Sequence, residues 1–235
     1  MATPLGGGQS VWMVPNLDEQ LAAIGTLTEP LRRALYLHVA AQGRPVGRAQ
    51  AAAALGVPRT VAAFHLDKLV EAGLLQVSHG RTTGRSGPGA GRPAVLYSRA
   101  DRQHELSIPA RSYALAARLL ADAVDEAGAD RLLQAAAERE GERQGRAEAE
   151  GPGDLDAVAA ALRRRGYEPE REGGRLWARN CPFHELSRAN PPVVCGMNLA
   201  LLTGLLRGLG AGALEARMDP APGRCCVVIS KSNID

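Results

Sequence analysis

Four cysteines are the residues of this chain whose types and spacing are best suited to chemistry, and all four lie in its last quarter. Cys181 begins a Cys-Pro-Phe-His segment, Cys195 precedes a leucine-rich run, and Cys225 and Cys226 are adjacent. A thiolate is both a nucleophile and a soft metal ligand. The first residues lack a basic segment followed by an apolar one, so we expect no secretory signal and a cytoplasmic location. Thiols stay reduced there, and we expect free, reactive or metal-bound cysteines rather than disulfides.

Three interpretations of the cysteines remain open at this level. Free cysteines are often buried as small hydrophobic side chains. A zinc site could use Cys181, Cys195, one of the two adjacent cysteines and His184, although the spacing is unlike the paired CxxC knuckles of structural zinc sites. An iron–sulfur cluster needs several converging thiolates and does not require short spacings. Spacing alone does not separate zinc from a cluster.

The local setting of the thiols suggests how they are presented. The apolar run predicts a helix over 197–209, which would place Cys195 near a helix N-terminus that favours the thiolate. The run from Cys225 to Ser230 predicts a strand, whose alternation would direct the sulfurs of Cys225 and Cys226 to opposite faces.

The elements that must position these residues are mainly helical. Of the 235 residues, 45% are hydrophobic but only 3% are aromatic, so the core depends on Ala, Leu and Val. This composition predicts a mainly α chain whose C-terminal domain is α+β. We expect four regions: a flexible N-terminal arm (1–24), a winged helix-turn-helix domain (25–100), a helical linker or dimerisation region (101–150) and a cysteine-containing sensory domain (151–235).

The order of elements over 25–100 is that of a winged helix-turn-helix. Helices are predicted from Thr28, a candidate N-cap, to Gly43, from Arg48 to Gly56, and from residue 59 to Gly73, followed by strands at 74–77 and 93–97. In the third helix Ala62, Leu66 and Leu69 form one inward stripe.

The remaining faces of this domain provide candidate DNA contacts. Arg59 could pair with guanine or grip a phosphate, whereas Arg48 and Gln50 are better placed for phosphates. The Gly- and Arg-rich loop over 80–91 and its flank could neutralise phosphates or enter a minor groove, or could be only a solvated hairpin loop. His65 could equally bond the backbone or face solvent. The candidate DNA-binding residues are Arg48, Gln50, Arg59, Thr60, Ala63, Phe64, His65, Arg81, Arg85 and Arg92.

Two segments carry a resemblance to known regulators. The segment VPRTVAAFHLDKLVEAGLL (57–75), with a Gly-Arg-Pro before Tyr97, resembles the recognition helix and wing of ArsR-type winged-helix regulators. The segments NCPFHELSRANPPVVCGMNLALLTGLL and PGRCCVVI resemble the sensory domain of the SUF-type repressors. The latter resemblance implies that three cysteines bind an iron–sulfur cluster, usually [4Fe–4S], and the matching residues are Cys181, Cys195 and Cys225. Cys226 would be a fourth ligand, the true third one, or a bystander, and His184 is another candidate fourth ligand.

Together these features predict a DNA-binding regulator, most simply a repressor, whose operator affinity is controlled by an iron–sulfur cluster and which serves cluster-assembly, iron- or redox-response genes. The alternatives are a repressor that contains zinc or responds to a small molecule, and a cysteine-dependent enzyme. The enzyme is disfavoured because the sequence has no phosphate loop and no dinucleotide-binding fingerprint.

The expected partners are double-stranded DNA with an inverted-repeat operator and a second copy of the chain. One winged helix buries little DNA surface, so a homodimer is expected. The Ala- and Leu-rich helix over 112–127 could form its seam, or could pack within its own domain. No membrane partner is expected, because the most apolar stretch, 197–216, is interrupted by Arg207 and several glycines.

Overall fold

The computed structural model describes residues 17–80, 94–109 and 111–232, which divide into two compact units. The first unit covers 1–111 and the second 112–235. Helices and strands occur in both units, so the chain is mixed α/β rather than mainly α, and the C-terminal unit contains the sheet that the predicted α+β domain requires. No helix in the described ranges is long and apolar enough to cross a lipid bilayer.

The N-terminal unit contains the three-helix and hairpin layout that the sequence predicts. An additional two-residue strand precedes the second helix of the motif, and the three strands form an antiparallel sheet in the order β1-β3-β2. Its elements are α1 (Leu17–Thr26), α2 (Pro30–Gln42), β1 (Val46–Gly47), α3 (Arg48–Leu55), α4 (Arg59–Glu71), β2 (Leu75–Gly80) and β3 (Ala94–Arg99).

Local signals in the sequence explain these boundaries, with one correction. Glu29, rather than Thr28, caps α2, because its carboxylate accepts hydrogen bonds from the backbone N–H groups of Leu31 and Arg32. Gly56 ends α3 with a φ of 66°, a left-handed conformation that favours glycine and permits the turn into α4. The predicted inward stripe of α4 is confirmed, since its three members are fully buried.

The flexible arm expected over 1–24 is wrong for its last eight positions. Residues 17–24 belong to α1, in which Gln20 and Ala23 are buried within the N-terminal unit. The pattern was missed because α1 is short and only a few of its residues face inward. Residues 1–16 lie outside the described ranges.

The C-terminal unit combines five helices with a four-stranded antiparallel sheet in the order β4-β5-β7-β6 among its described residues. The short, charged strands β4 and β6 were not predicted. The elements are α5 (Tyr113–Glu126), α6 (Asp130–Glu148), α7 (Leu155–Arg164), β4 (Pro169–Glu172), β5 (Arg175–Ala178), α8 (His184–Ala189), α9 (Pro191–Gly208), β6 (Leu214–Met218) and β7 (Val227–Lys231).

Helices α6 and α9 run side by side at very close range because glycines face each other. A Cβ atom at Gly141 would lie 2.0 Å from the carbonyl oxygen of Leu201, and one at Gly204 would lie 2.0 Å from that of Glu138. The separate helical region expected over 101–150 is therefore corrected. The boundary between units falls at residue 111, and α6 is an integral part of the unit that contains the cysteines.

Candidate functional site

The four cysteines line one cavity of about 230 Å³ in the C-terminal unit. Cys181 lies in the turn between β5 and α8, and Cys195 lies in the first half of α9. Cys225 and Cys226 lie in the irregular segment that leads into β7. The backbone N–H of Cys225 donates to the carbonyl of Ala178 at 2.7 Å, which ties this segment to the end of β5. The fold thus collects three separated segments at one site.

Two of the sulfur atoms are in direct contact, since the Cys195 thiol donates to the sulfur of Cys226 at 3.4 Å. Cys181 and Cys225 line the same cavity. The predicted division of Cys225 and Cys226 onto opposite faces is wrong. Because β7 begins at Val227, strand alternation does not govern the two residues, and both reach the same cavity.

A buried hydrogen-bond chain supports one of these sulfurs. The Tyr167 hydroxyl donates to Oδ1 of Asn198, and the Asn198 amide donates to the sulfur of Cys225 at 3.4 Å. All three side chains are buried, Cys225 with 3% of its surface exposed. Asn198 and Tyr167 were not predicted from the sequence as residues of the site. The available signal was a polar asparagine inside the most apolar helix of the chain, since buried polar groups require partners.

The protonation states of the thiols differ because their surroundings differ. The hydrogen bond from Cys181, with those from Val227, Asn198 and Cys226, lowers the pKa of Cys225 to about 7 against the opposing effect of burial. Burial, followed by the hydrogen bond to Cys226, raises the pKa of Cys195 to about 12.

The predicted thiolate at Cys195 is therefore wrong for the free thiol. The helix α9 begins at Pro191, not at 197, so Cys195 is its fifth residue and lies beyond the exposed N–H groups of the first turn.

Two other side chains at the cavity bear on metal binding. His184, the first residue of α8, lines the cavity, which keeps it a candidate ligand. Arg224 also lines it: one guanidinium nitrogen donates to the Asp219 carboxylate at 2.8 Å, while Nε is buried without a hydrogen-bond partner among the described residues. A cation with an unused donor suits a site that gathers anionic sulfur.

The cysteine side chains do not converge on a single point. Among the described residues, no three Cys, His, Asp or Glu side chains form a ready-made metal-binding group. Cys195 and Cys226 instead share a hydrogen bond, which requires that at least one of the two sulfurs is a protonated thiol.

The exposed face of the helix-turn-helix lies at the start of α4. Arg59 and Thr60 are exposed, Phe64 has 58% of its surface exposed, and Ala63 is half-buried. Gln50, in the first turn of α3, is also exposed.

Two residues expected to contact DNA have partners inside the domain. The Arg48 guanidinium donates to the Tyr97 hydroxyl at 2.6 Å and to the Asp67 carboxylate at 2.9 and 3.1 Å. Nδ1 of His65 lies 3.5 Å from the carboxylate of Glu29, and its side chain is mostly buried. Arg48 thus joins α3, α4 and β3, and His65 faces the start of α2. That either residue contacts DNA stays a prediction.

The arginines expected on the wing, Arg81, Arg85 and Arg92, lie outside the described residues. Strands β2 and β3 are paired up to Gly80 and Ala94, so these arginines belong to the connection between two adjacent strand ends.

Comparison with known proteins supports the N-terminal unit alone. Residues 27–78 match the family model of a helix-turn-helix domain of the ArsR-like type. No curated protein and no solved structure matches the chain. The matched range includes α2, α3 and α4 and ends within β2. This helix-turn-helix domain indicates a DNA-binding transcription regulator.

Proposed function

We propose that this protein is a transcriptional repressor that binds an inverted-repeat operator and whose affinity for DNA depends on an iron–sulfur cluster held by its C-terminal cysteines. The observation that carries the proposal is the meeting of four cysteines from three segments at one cavity, in a chain that also has a helix-turn-helix. The genes served would be those of cluster assembly or of iron and redox responses.

The DNA-binding part of the proposal assigns base contacts to the start of α4. Arg59 and Thr60 are exposed there, where a recognition helix enters the major groove. Phe64 is one turn further along and offers apolar contact to a thymine methyl group, and Ala63 permits close approach. Gln50 would hold a phosphate, with the wing arginines adding charge.

The cysteines have the chemistry that a cluster requires. Iron–sulfur clusters are held by cysteine thiolates, and the potential of the cluster responds to hydrogen bonds onto the sulfurs. Cys181, Cys195 and Cys225 would hold the cluster, with Cys226 or His184 as a fourth ligand. Asn198 already donates to the sulfur of Cys225, and the guanidinium of Arg224 supplies positive charge at the cavity.

A zinc site is the second candidate, and one distance favours it. Tetrahedral zinc with Zn–S bonds of about 2.3 Å separates its sulfur ligands by about 3.8 Å. The sulfurs of Cys195 and Cys226 are 3.4 Å apart, close to that value. Iron and labile sulfide in the purified protein would support the cluster, whereas zinc alone would support this alternative.

The dimer surface is assigned to α5. Four large apolar side chains of this helix are exposed, and only Ala121 of the helix is buried within its unit. A cluster of exposed apolar side chains is typical of a surface that a partner covers. A second copy is the partner that suits this surface, because paired helix-turn-helix domains read two half-sites with twofold symmetry. The apolar residues are Tyr113, Leu115, Leu119 and Leu120.

Coupling between the two functions would run through the C-terminal unit. When bound, the cluster would tie the turn after β5, α9 and the segment before β7 into one body. Cys195 belongs to α9, and α9 packs through glycines against α6, which directly follows α5. The cysteines would thus set the arrangement of the proposed dimer helix, as two-state coupling requires.

The test begins with selection of DNA from a random pool on the anaerobically purified full chain. Binding to the enriched duplex is then measured by fluorescence anisotropy for the wild type, Arg59→Ala and the control Lys68→Ala. Lys68 is on the same helix but pairs with Glu71 near its C-terminal end.

We expect Arg59→Ala to weaken binding by roughly 5- to 150-fold, the effect of about 1–3 kcal/mol for one base contact, and the Lys68→Ala variant to bind like the wild type. Enrichment of no sequence, or equal affinity for unrelated DNA, would overturn the DNA-binding proposal.

A further inference from the structure

We propose that Cys195 and Cys226 form a reversible disulfide when the metal-free protein meets a peroxide, so that the site has a thiol-based response of its own. The proposal goes beyond the cluster and does not depend on it. It assigns a covalent modification to two of the four sulfurs at the cavity.

The geometry of the pair carries the inference. The two sulfurs are 3.4 Å apart across 31 positions of sequence, and a disulfide requires about 2.05 Å. Cys195 is fixed in α9, whereas Cys226 lies in the irregular segment before β7, in which Gly223 has a φ of 73°. Because Cys226 precedes β7, which begins at Val227, its side chain can approach Cys195 without breaking a helix or a strand.

Contact and access to solvent together select this pair. Cys181, Cys195 and Cys226 are each partly exposed, whereas Cys225 is buried and also accepts a hydrogen bond from Asn198. Of the partly exposed sulfurs, those of Cys195 and Cys226 are in contact, and oxidation requires an accessible sulfur.

The reaction balances with hydrogen peroxide as the oxidant. Cys226, whose sulfur accepts the hydrogen bond from Cys195, attacks a peroxide oxygen as the thiolate; the O–O bond breaks, and the products are a sulfenic acid at Cys226 and, after protonation, water. The sulfur of Cys195 then attacks the sulfenic sulfur, forming the S–S bond and releasing its proton with the hydroxyl group as a second water. Two thiols are oxidised by two electrons, and one peroxide is reduced to two waters.

The disulfide would be incompatible with metal binding by Cys195, because a metal ligand must be a thiolate. This consequence rests on the proposed function, whereas the disulfide itself does not. An oxidised protein would need a dithiol reductant before it could accept a metal again.

The experiment uses the full chain, stripped of metal, reduced, and then exposed to a small excess of hydrogen peroxide. Remaining thiols are alkylated, the protein is digested with trypsin without reduction, and linked peptides are identified by mass spectrometry. Cleavage after arginine and lysine places Cys181, Cys195 and the adjacent pair in three different peptides, 180–188, 189–207 and 225–231.

We expect the peptides 189–207 and 225–231 to be linked, with fragmentation assigning the bond to Cys226, and the link to disappear after treatment with a dithiol. The Cys226→Ser variant should lose the link. Fragmentation of the wild-type peptide makes the assignment independent of whether any variant folds.

Linkage of 180–188 to 225–231 as the main product, a bond assigned to Cys225, or four alkylated thiols after peroxide would each overturn the proposal. None of these results depends on whether iron, sulfide or DNA binds, so failure of this inference is distinct from failure of the proposed function.

Discussion

The sulfur of Cys195, on α9, lies 3.4 Å from that of Cys226, in the segment before β7. Cys181 and Cys225 line the same cavity, and hydrogen bonding from Cys181 contributes to the lowered pKa of Cys225. The four thiols therefore share one site, which the turn after β5, the helix α9 and the segment before β7 build together.

Substitution of Asn198 by Ala is expected to destabilise the protein. The change removes the amide that donates to Cys225 and leaves the buried Tyr167 hydroxyl without its acceptor. An unsatisfied buried polar group costs about 1–3 kcal/mol, and chemical denaturation should reveal a loss of that size. The control is Ser187→Ala, at the same cavity but partly exposed, which should change the free energy of unfolding by less than about 0.5 kcal/mol.

The junction of Arg48, Tyr97 and Asp67 should stabilise the helix-turn-helix. Tyr97 is fully buried, and its hydroxyl donates to Asp67 while accepting from Arg48. Tyr97→Phe removes both bonds and should lower the free energy of unfolding by about 1–3 kcal/mol. The matched variant Tyr113→Phe, in which 69% of the side chain is exposed, should unfold like the wild type. Equal stability of the two variants would contradict the structural role of the junction.

The contact between α6 and α9 should not tolerate a methyl group. A Cβ atom at position 204 would lie 2.0 Å from the Glu138 carbonyl oxygen, so Gly204→Ala must push the helices apart. We expect a loss of about 3 kcal/mol or more in the free energy of unfolding. Gly212→Ala is the control, because nothing lies within 4 Å of its new Cβ atom. A stable Gly204→Ala protein would show that the helices are not in contact.

Acid should weaken the N-terminal unit through the cap of α2. The backbone N–H of Arg32, aided by Leu31 and by the charges of His65 and Arg32, holds the pKa of Glu29 below 4.5. Because the pKa of Glu29 is lower in the folded protein than in the unfolded chain, this stabilisation is present above a pH of about 4.5. It is lost as the pH falls through the pKa that Glu29 has in the folded protein.

As the pH falls from about 5 to about 3, the free energy of unfolding should decrease less for the Glu29→Gln variant than for the wild type. Denaturation of both proteins across this interval tests the assignment, and identical pH slopes would refute it.

The sequence predicted those features that depend on local pattern. The spacing of Ala62, Leu66 and Leu69 identified the buried side of α4, and the family comparison confirmed the helix-turn-helix. The start of α9 was missed because two prolines, at 191 and 192, look like a break although they fit a first helical turn.

Other features depend on contacts between distant parts of the chain. The partners of Arg48 were not predicted, because they are 19 and 49 positions away and carry no local signal. The pairing of the thiols is likewise a product of the tertiary fold, because the sequence shows only that four cysteines are grouped. Whether they hold a cluster stays a prediction.

The measurement that tests the central claim most directly is the composition and visible spectrum of the full chain purified without oxygen, compared with Cys181→Ser and with Ser187→Ala. We predict a brown wild type with iron, labile sulfide and broad absorption toward the blue, a colourless Cys181→Ser protein with weakened operator binding, and an unchanged Ser187→Ala control. A colourless wild type that contains zinc or no metal, or a Cys181→Ser protein that binds the operator as tightly as the wild type, would contradict control by a cluster.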